Sequence, residues 1–301
     1  MRAANAPIVL FTYNRPLHTR QTLRHLMLND LAKDSHLYIY IDGPKTNASQ
    51  ETIRQISEVK TVVREEQWCK EVTIIESDKN LGLAASVIKG VSEVLNKYGK
   101  VIVLEDDLVC DTYFLKFMND GLQMYENNEE VISVTGYVYP VKSRLPDTYF
   151  LKGADCWGWA TWKRGWDLLQ KDGEKLLNEI VKRKLEYDFD FYGSYPYVNM
   201  LKDQIAGKNS SWAILWYASA YLQNKLTLYP GNSLVQNIGN DGSGTHNGVS
   251  DKWIVELTGK SIDLKKQQLT EDKEAKQIIA DYFKEIMGTK DLSLLNKLKA
   301  K

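Results

Sequence analysis

Over the first third of the chain, short apolar runs alternate with apolar residues at helical spacing. Pro7 to Phe11 is a run that predicts a strand. After the polar Thr12-Tyr13-Asn14-Arg15-Pro16, Leu23, Leu26 and Met27 mark one face of a helix over 17–28. Leu37 to Ile41 repeats the strand pattern and stops at Asp42-Gly43-Pro44, a turn signal. A helix over 49–64 follows, with Ile53, Ile56 and Val59 on one face. A strand at 72–75, a helix at 83–97 and a strand at 100–104 complete the series. This β-α-β-α-β-α-β rhythm predicts an α/β fold with a mostly parallel sheet flanked by helices.

Beyond residue 110 the pattern is less regular. Helices are expected over 112–125, 167–185 and 211–223, the last capped by Ser210 or Ser211, and strands over 131–137 and 226–229. Asp155-Cys156-Trp157-Gly158-Trp159-Ala160-Thr161-Trp162 reads as an aromatic loop containing glycine, and residues 187–197 fit no period. Residues 237–248 form a Gly/Asn/Asp loop, and from Asp251 onward the chain is lysine-rich and expected to be helical. No internal repeat or low-complexity linker divides the chain, which favours a single compact domain with a tail.

The candidate chemistry sits at the end of the fourth predicted strand. Val101 to Leu104 runs straight into Glu105-Asp106-Asp107. Three adjacent carboxylates repel one another and are costly to desolvate, a cost that a hard divalent cation offsets. Open α/β sheets bind ligands at the carboxyl ends of their strands. The stretch therefore points to Mg²⁺ or Mn²⁺ and a phosphorylated ligand, or else to a solvated acidic loop.

Composition narrows the classes. The 301 residues carry no net charge, which leaves no basic footprint for nucleic acid. Cys69, Cys110 and Cys156 are odd in number and in no metal pattern, so free thiols in a reducing compartment are expected. No apolar signal segment precedes Pro7 and no run is long enough to span a membrane. A cytoplasmic protein is expected, with at most peripheral contact of the lysine-rich tail at the inner face of the membrane. The 8 Trp and 17 Tyr cluster between residues 137 and 229, where they either fill a core or offer platforms to sugar rings.

Several segments, in order, resemble the GT-A glycosyltransferases. They are Val9 to Arg15 closing the first strand, Ile39-Tyr40-Ile41-Asp42-Gly43 closing the second, Asn80-Leu81-Gly82 before a helix, and Glu105-Asp106-Asp107. Trp157-Gly158-Trp159 is similar to their acceptor-side loop, Trp212 to Trp216 to their catalytic helix, and Asn237-Ile238-Gly239 with Thr245-His246 to their closing loop. The likeness covers about residues 7–248 and is greatest to inverting enzymes of the N-acetylglucosaminyltransferase I type and related bacterial sugar transferases.

The resemblance implies a glycosyltransferase domain over 1–250, divided into a nucleotide-binding half (1–110) and an acceptor half (111–250), with a helical extension over 251–301. It implies a metal-dependent hexosyl- or N-acetylhexosaminyltransferase. The donor would be a nucleotide-diphosphate sugar, UDP-sugar favoured, and the acceptor a glycan or lipid-linked acceptor of bacterial surface polysaccharide. Asp107 and His246 would hold Mn²⁺ or Mg²⁺. Thr12, Tyr13, Arg15, Asp42, Lys79, Asn80 and Asp106 would bind the nucleotide, Asp42 accepting from the base N–H and Arg15 pairing with the diphosphate. Trp157 and Trp159 would face the acceptor. Relatives carry their general base just after the first Trp of the catalytic helix, where this chain has Ala213. Asp241, Asp203 and Asp155 are the substitutes, unless the reaction retains configuration or the activity is lost. The rival readings are a sugar nucleotidyltransferase, whose glycine-rich basic signature Thr12 to Pro16 lacks, and a non-catalytic nucleotide-sugar or glycan-binding domain.

Overall fold

A computed structural model of the chain describes residues 4–242 and 251–298. The first part follows the predicted rhythm: β1 (Ile8–Thr12), α1 (Pro16–Met27), β2 (His36–Ile41), α2 (Gln50–Val62), β3 (Glu71–Glu76), α3 (Leu83–Tyr98) and β4 (Lys100–Glu105). In α3 the buried positions Val87, Gly90, Val91, Val94 and Leu95 recur at helical spacing. Gly99 ends that helix in the left-handed region (φ 76°), its N–H bonding to the Leu95 carbonyl. Ser49 caps α2 through its hydroxyl, and the buried face of that helix is Ile56, Val59 and Val62; Ile53 is exposed.

Next come β5 (Leu108–Cys110), α4 (Phe114–Met124), β6 (Val131–Thr135), β7 (Thr148–Lys152) and β8 (Trp159–Trp162). The helices α5 (Lys163–Trp166), α6 (Gly173–Lys182), α7 (Glu186–Phe189), α8 (Tyr197–Ile205) and α9 (Trp212–Leu222) lead to β9 (Leu226–Pro230) and β10 (Val235–Asn237). The last element, α10 (Lys273–Leu298), is broken at Gly288.

One eight-stranded sheet runs in the order β3-β2-β1-β4-β8-β6-β9-β7, and a small antiparallel sheet pairs β5 with β10. Within the large sheet β1, β2, β3, β4, β6 and β9 share a direction, and β8 and β7 oppose it. The expected α/β architecture of a mostly parallel sheet flanked by helices is present. Among the described residues no helix is long and apolar enough to cross a membrane.

Three expectations are corrected. Residues 159–162, expected as loop, form β8, which inserts antiparallel between β4 and β6. Of the helix expected over 167–185 only α6, 173–182, is formed, and residues 167–172 separate it from the short α5. Residues 251–272, expected as helix, form a strap without regular secondary structure, and helix begins only at Lys273. The strap alternates half-buried Trp253, Val255 and Leu257, then Ile262 and Leu264, with exposed residues, so one edge lies on the body. It is pinned by Gly259 N–H on Asp111 (2.7 Å) and by Val255 N–H on the Gln236 amide oxygen (2.6 Å). Its end covers the edge strand β7, where Asp272 N–H donates to the Phe150 carbonyl.

α9 is apolar on nearly every side and sits between two cores. Ser211 caps it, accepting from Ile214 N–H at 3.3 Å. Trp212 and Trp216 pack with Trp159 and Trp166 against the sheet, while Tyr217 and Tyr221 join Phe189 and the α10 residues Ala275, Ile279 and Phe283 on the other side.

Candidate active site

The chain leaves β1 towards β2 on one side, yet β4 lies on the other side of β1. This is a point where strand order reverses, and open α/β sheets form their ligand crevice at the carboxyl ends there. Phe11 pairs with Glu105 and Thr12 with Ile41, so the segments after β1, β2 and β4 emerge side by side. The antiparallel pairing of Val103 with Trp159 adds a fourth segment: the chain entering β8, Asp155 to Gly158, arrives beside the chain leaving β4.

Arg15 is the centre of the crevice. Its Nη1 lies 2.7 Å from Asp107 Oδ2 and 3.9 Å from Asp106 Oδ1; its Nη2 donates to the Gly239 carbonyl (3.2 Å) and lies 3.8 Å from Asp241. His18 Nε2 is 3.1 Å from the other Asp241 oxygen. The β5–β10 pair brings this loop in: Ile238 N–H bonds to the Asp107 carbonyl at 2.9 Å. Gly239 is required by close approach, because a Cβ there would stand 2.1 Å from Asp107 Oδ2.

The carboxylates are electrostatically strained. Burial first, and then the charges of Asp107 and Asp106, push Glu105 well above the carboxylate range. Asp106 is pushed up to about 7 by burial and by Asp107, against the pull of Arg15 and of Tyr13 N–H, which donates to it at 3.4 Å. One guanidinium serves three carboxylates. Hard oxygen donors lacking positive charge suit a divalent cation of the type held by one or two carboxylates and a diphosphate. Asp107, whose partly exposed carboxylate faces Arg15, is the residue that would hold it. Among the described residues no cluster of three or more ligating side chains is present, and His246 lies outside the described residues.

Asp42 and Asn80 form one unit. Asp42 Oδ1 accepts from the N–H groups of Gly43 (2.9 Å) and Leu81 (2.8 Å), and Oδ2 from Gly82 N–H (2.9 Å) and the Asn80 amide (3.0 Å). The carboxylate thus caps the approach to α3, with both oxygens engaged inside the protein. Thr12 is buried, its hydroxyl donating to the Tyr40 carbonyl at 3.2 Å, and the Lys79 carbonyl accepts from Ser77 Oγ at 2.6 Å.

The three candidate bases separate. Asp203 is on the surface, paired with Lys208 at 3.1 Å. Asp241 is half exposed and engaged with His18 and Arg15. Asp155 lies beside the β4 terminus: Oδ1 accepts from Cys156 N–H (2.6 Å) and Trp157 N–H (3.3 Å), leaving Oδ2 facing the Tyr229 hydroxyl at 3.5 Å. Burial raises its pKa, which the three hydrogen bonds only partly oppose. The neighbouring Cys156 thiol is raised well above its usual value by burial and by the charges of Asp155, Glu105 and Asp107, so these groups share one electrostatic environment.

The two tryptophans part ways. Trp159 is fully buried in β8, 5.5 Å from Trp166 and from Trp212, and belongs to the core. Trp157 is half buried, edge-on to Tyr137 at 4.6 Å. Sequence reasoning missed His18, which lies one helical step beyond Arg15 and faces the same loop. It also missed Trp253, whose ring lies 6.3 Å from Trp157.

Comparison with known proteins places this site in a family. The model of the family described as glycosyl transferase family 2 matches residues 8–160, from β1 into β8, slightly more than half of the chain. The chain belongs to glycosyl transferase family 2. The matched region contains Arg15, Asp42, the carboxylates after β4, and Asp155. An uncharacterized glycosyltransferase of Methanocaldococcus jannaschii is 26% identical over 132 residues, 44% of this chain and 41% of the relative, so the match spans less than half of that relative's length. Among solved structures, a mannosyltransferase from Pyrobaculum calidifontis in complex with GDP-Man and Mn²⁺ shares 12% identity over 73% of this chain and 70% of its own, with a TM-score of 0.39. S. aureus TarS 1-349 shares 11% over 77% and 59%, with a TM-score of 0.40. UDP-glucose pyrophosphorylase complexed with UDP-glucose shares 11% over 75% and 90%, with a TM-score of 0.38.

Proposed function

We propose that this family 2 enzyme transfers a hexosyl or N-acetylhexosaminyl group from a nucleotide-diphosphate sugar to a hydroxyl of a glycan or lipid-linked acceptor, with metal dependence and inversion of configuration. The observation that carries the reading is the Arg15–Asp107–Gly239 junction in the crevice between β1 and β4. Thr12, Tyr13 and the Asp42–Asn80 unit border the nucleotide, with Lys79 at the approach to α3. Arg15 and Asp107 border the diphosphate. A divalent cation, Mn²⁺ or Mg²⁺, would neutralise charge on the leaving nucleoside diphosphate. UDP-sugar is the favoured donor on the resemblance to the N-acetylglucosaminyltransferase I type. Bacterial surface polysaccharide is the proposed setting. The three free cysteines are in keeping with a reducing cytoplasm.

Asp155 is the general base in this reading. Its Oδ1 is fixed by two backbone N–H groups, and its raised pKa moves it towards the operating pH, where a base is most effective. Oδ2 takes the proton of the acceptor hydroxyl as the acceptor oxygen bonds to the anomeric carbon. The bond from that carbon to the phosphate oxygen breaks, its electron pair leaving with the nucleoside diphosphate. Asp155 thereby supplies the carboxylate that Ala213 does not.

The test combines binding with turnover. Asp155→Asn should keep nucleotide affinity and lower transfer by about 10²–10⁴-fold. Asp107→Ala should remove metal-dependent nucleotide binding, read by calorimetry with UDP and GDP, while circular dichroism stays native. Full transfer by Asp155→Asn would return the base to Asp241 or Asp203. Metal-independent nucleotide binding by the wild type would overturn the metal assignment.

A further inference from the structure

The strap over 251–272 passes the acceptor side of the crevice, and its first half-buried residue is an aromatic one. Trp253 stands nearly perpendicular to Trp157 (6.3 Å between ring centres, 87°), 6.1 Å from Tyr139 and 6.4 Å from Tyr195. All four residues are half buried and lie on the border of the core rather than inside it. The backbone of Trp253 is held in place by the Tyr137 hydroxyl, which donates to its carbonyl at 3.0 Å. Asp155 lies in the same neighbourhood: its backbone partner Trp157 is one of the rings, and its charge is felt by Tyr137 and Tyr139.

We propose that Trp253, Trp157, Tyr139 and Tyr195 form a wall on which a pyranose ring of the acceptor stacks beside Asp155. The C-terminal strap is then part of the acceptor site. This rests on the glycosyl-transfer reading above and adds the chemical class of the acceptor's reacting end. A pyranose presents a patch of C–H bonds on one face and hydroxyls around its rim. Aromatic faces match the patch, and a fixed carboxylate matches a rim hydroxyl. A reacting phosphate would meet rings and a carboxylate here, and like charge disfavours it.

The experiment uses saturation-transfer NMR of the full chain with methyl glycosides of common hexoses and N-acetylhexosamines, without donor, so that stacking is read separately from transfer. Saturation should pass chiefly to ring C–H protons of at least one glycoside. Trp253→Phe should keep that pattern. Trp253→Leu, which fills space without a π face, should lose it and raise the acceptor KM about tenfold. Wild-type protein that saturates none of the glycosides overturns the proposal, as does a Trp253→Leu variant with wild-type saturation and acceptor KM. Failure of the wild type to bind or hydrolyse any nucleotide sugar would count against the transferase reading, not against the wall.

Discussion

Both oxygens of Asp42 are filled by donors from its own loop and from the approach to α3, so Asp42→Asn sets an amide NH₂ against backbone N–H groups. A buried donor left without an acceptor costs about 1–3 kcal/mol. The melting temperature of the nucleotide-free variant should therefore fall, and UDP affinity should weaken with it. An unchanged melting temperature with weaker UDP binding would assign Asp42 to the base alone. Arg15 gives a second test. It occupies Asp107 Oδ2 with a charge-assisted bond worth about 1.5–3 kcal/mol, so Arg15→Gln should tighten binding of free Mn²⁺ about tenfold or more when no donor is present. The same change should weaken donor binding. Electron paramagnetic resonance of free Mn²⁺ reads the first effect; equal or poorer Mn²⁺ binding by the variant would show that Arg15 and the cation do not compete. Arg15 and the carboxylates were legible in the sequence because each stands at the end of an apolar run. His18 was not: a histidine in the first turn of a helix looks solvated until the loop carrying Asp241 is placed against it.

At the scale of elements, the legible parts are those with an unbroken period. β1, β2 and β4 are buried on both faces and read as continuous apolar runs, and α3 keeps its apolar stripe over sixteen residues. β8 was not legible, because Trp-Ala-Thr-Trp is only four residues long and directly follows the loop signals Asp155 and Gly158; its two neighbours, β4 and β6, make it a strand. The strap shows the opposite error. Its lysine content suggests helix, while Trp253, Val255 and Leu257 alternate at a period of two, which is the pattern of an extended segment. Asp111 fixes that segment, accepting from Tyr113 N–H at 3.0 Å and from Gly259 N–H at 2.7 Å. Asp111→Ala removes the acceptor of both N–H groups, and with it a tie between the strap and the body. Limited trypsin digestion should then cut faster at the exposed Lys260, Lys265 and Lys266, with the β1–β4 region intact. Digestion at the wild-type rate would mean that the apolar contacts of the strap suffice.

For the molecule as a whole, the donor crevice and the acceptor wall depend largely on different cores. The crevice stands on β1, β2 and β4. Most of the wall, Tyr139, Tyr195 and Trp253, stands on the second core, into which α10 inserts Phe283, 4.7 Å from Tyr139 and 4.8 Å from Tyr195, while Trp157 packs on the core of β1, β2 and β4. α10 is docked through Lys276, fully buried, 2.9 Å from Asp188 and 3.2 Å from Glu271. Lys276→Met keeps the bulk but strips the largely buried Glu271 and the partly exposed Asp188 of their partner, which costs about 1.5–3 kcal/mol, the scale of a hydrogen bond to a charged group. Burial alone would raise the Asp188 carboxyl, but the Tyr221 hydroxyl and Lys276 outweigh it and hold the group below its usual value. Its stabilising contribution is therefore complete above the ordinary carboxylate pKa of about 4 and is lost as pH falls through the lower folded value. The gap in melting temperature between wild type and variant should be widest near neutral pH and narrow below about pH 4. A gap independent of pH would remove Asp188 from the account. Because the crevice is carried by the other core, the variant should raise the KM of the acceptor more than that of the donor. Equal increases would show that the two halves soften together, and that the strap and α10 support the whole sheet rather than the acceptor wall.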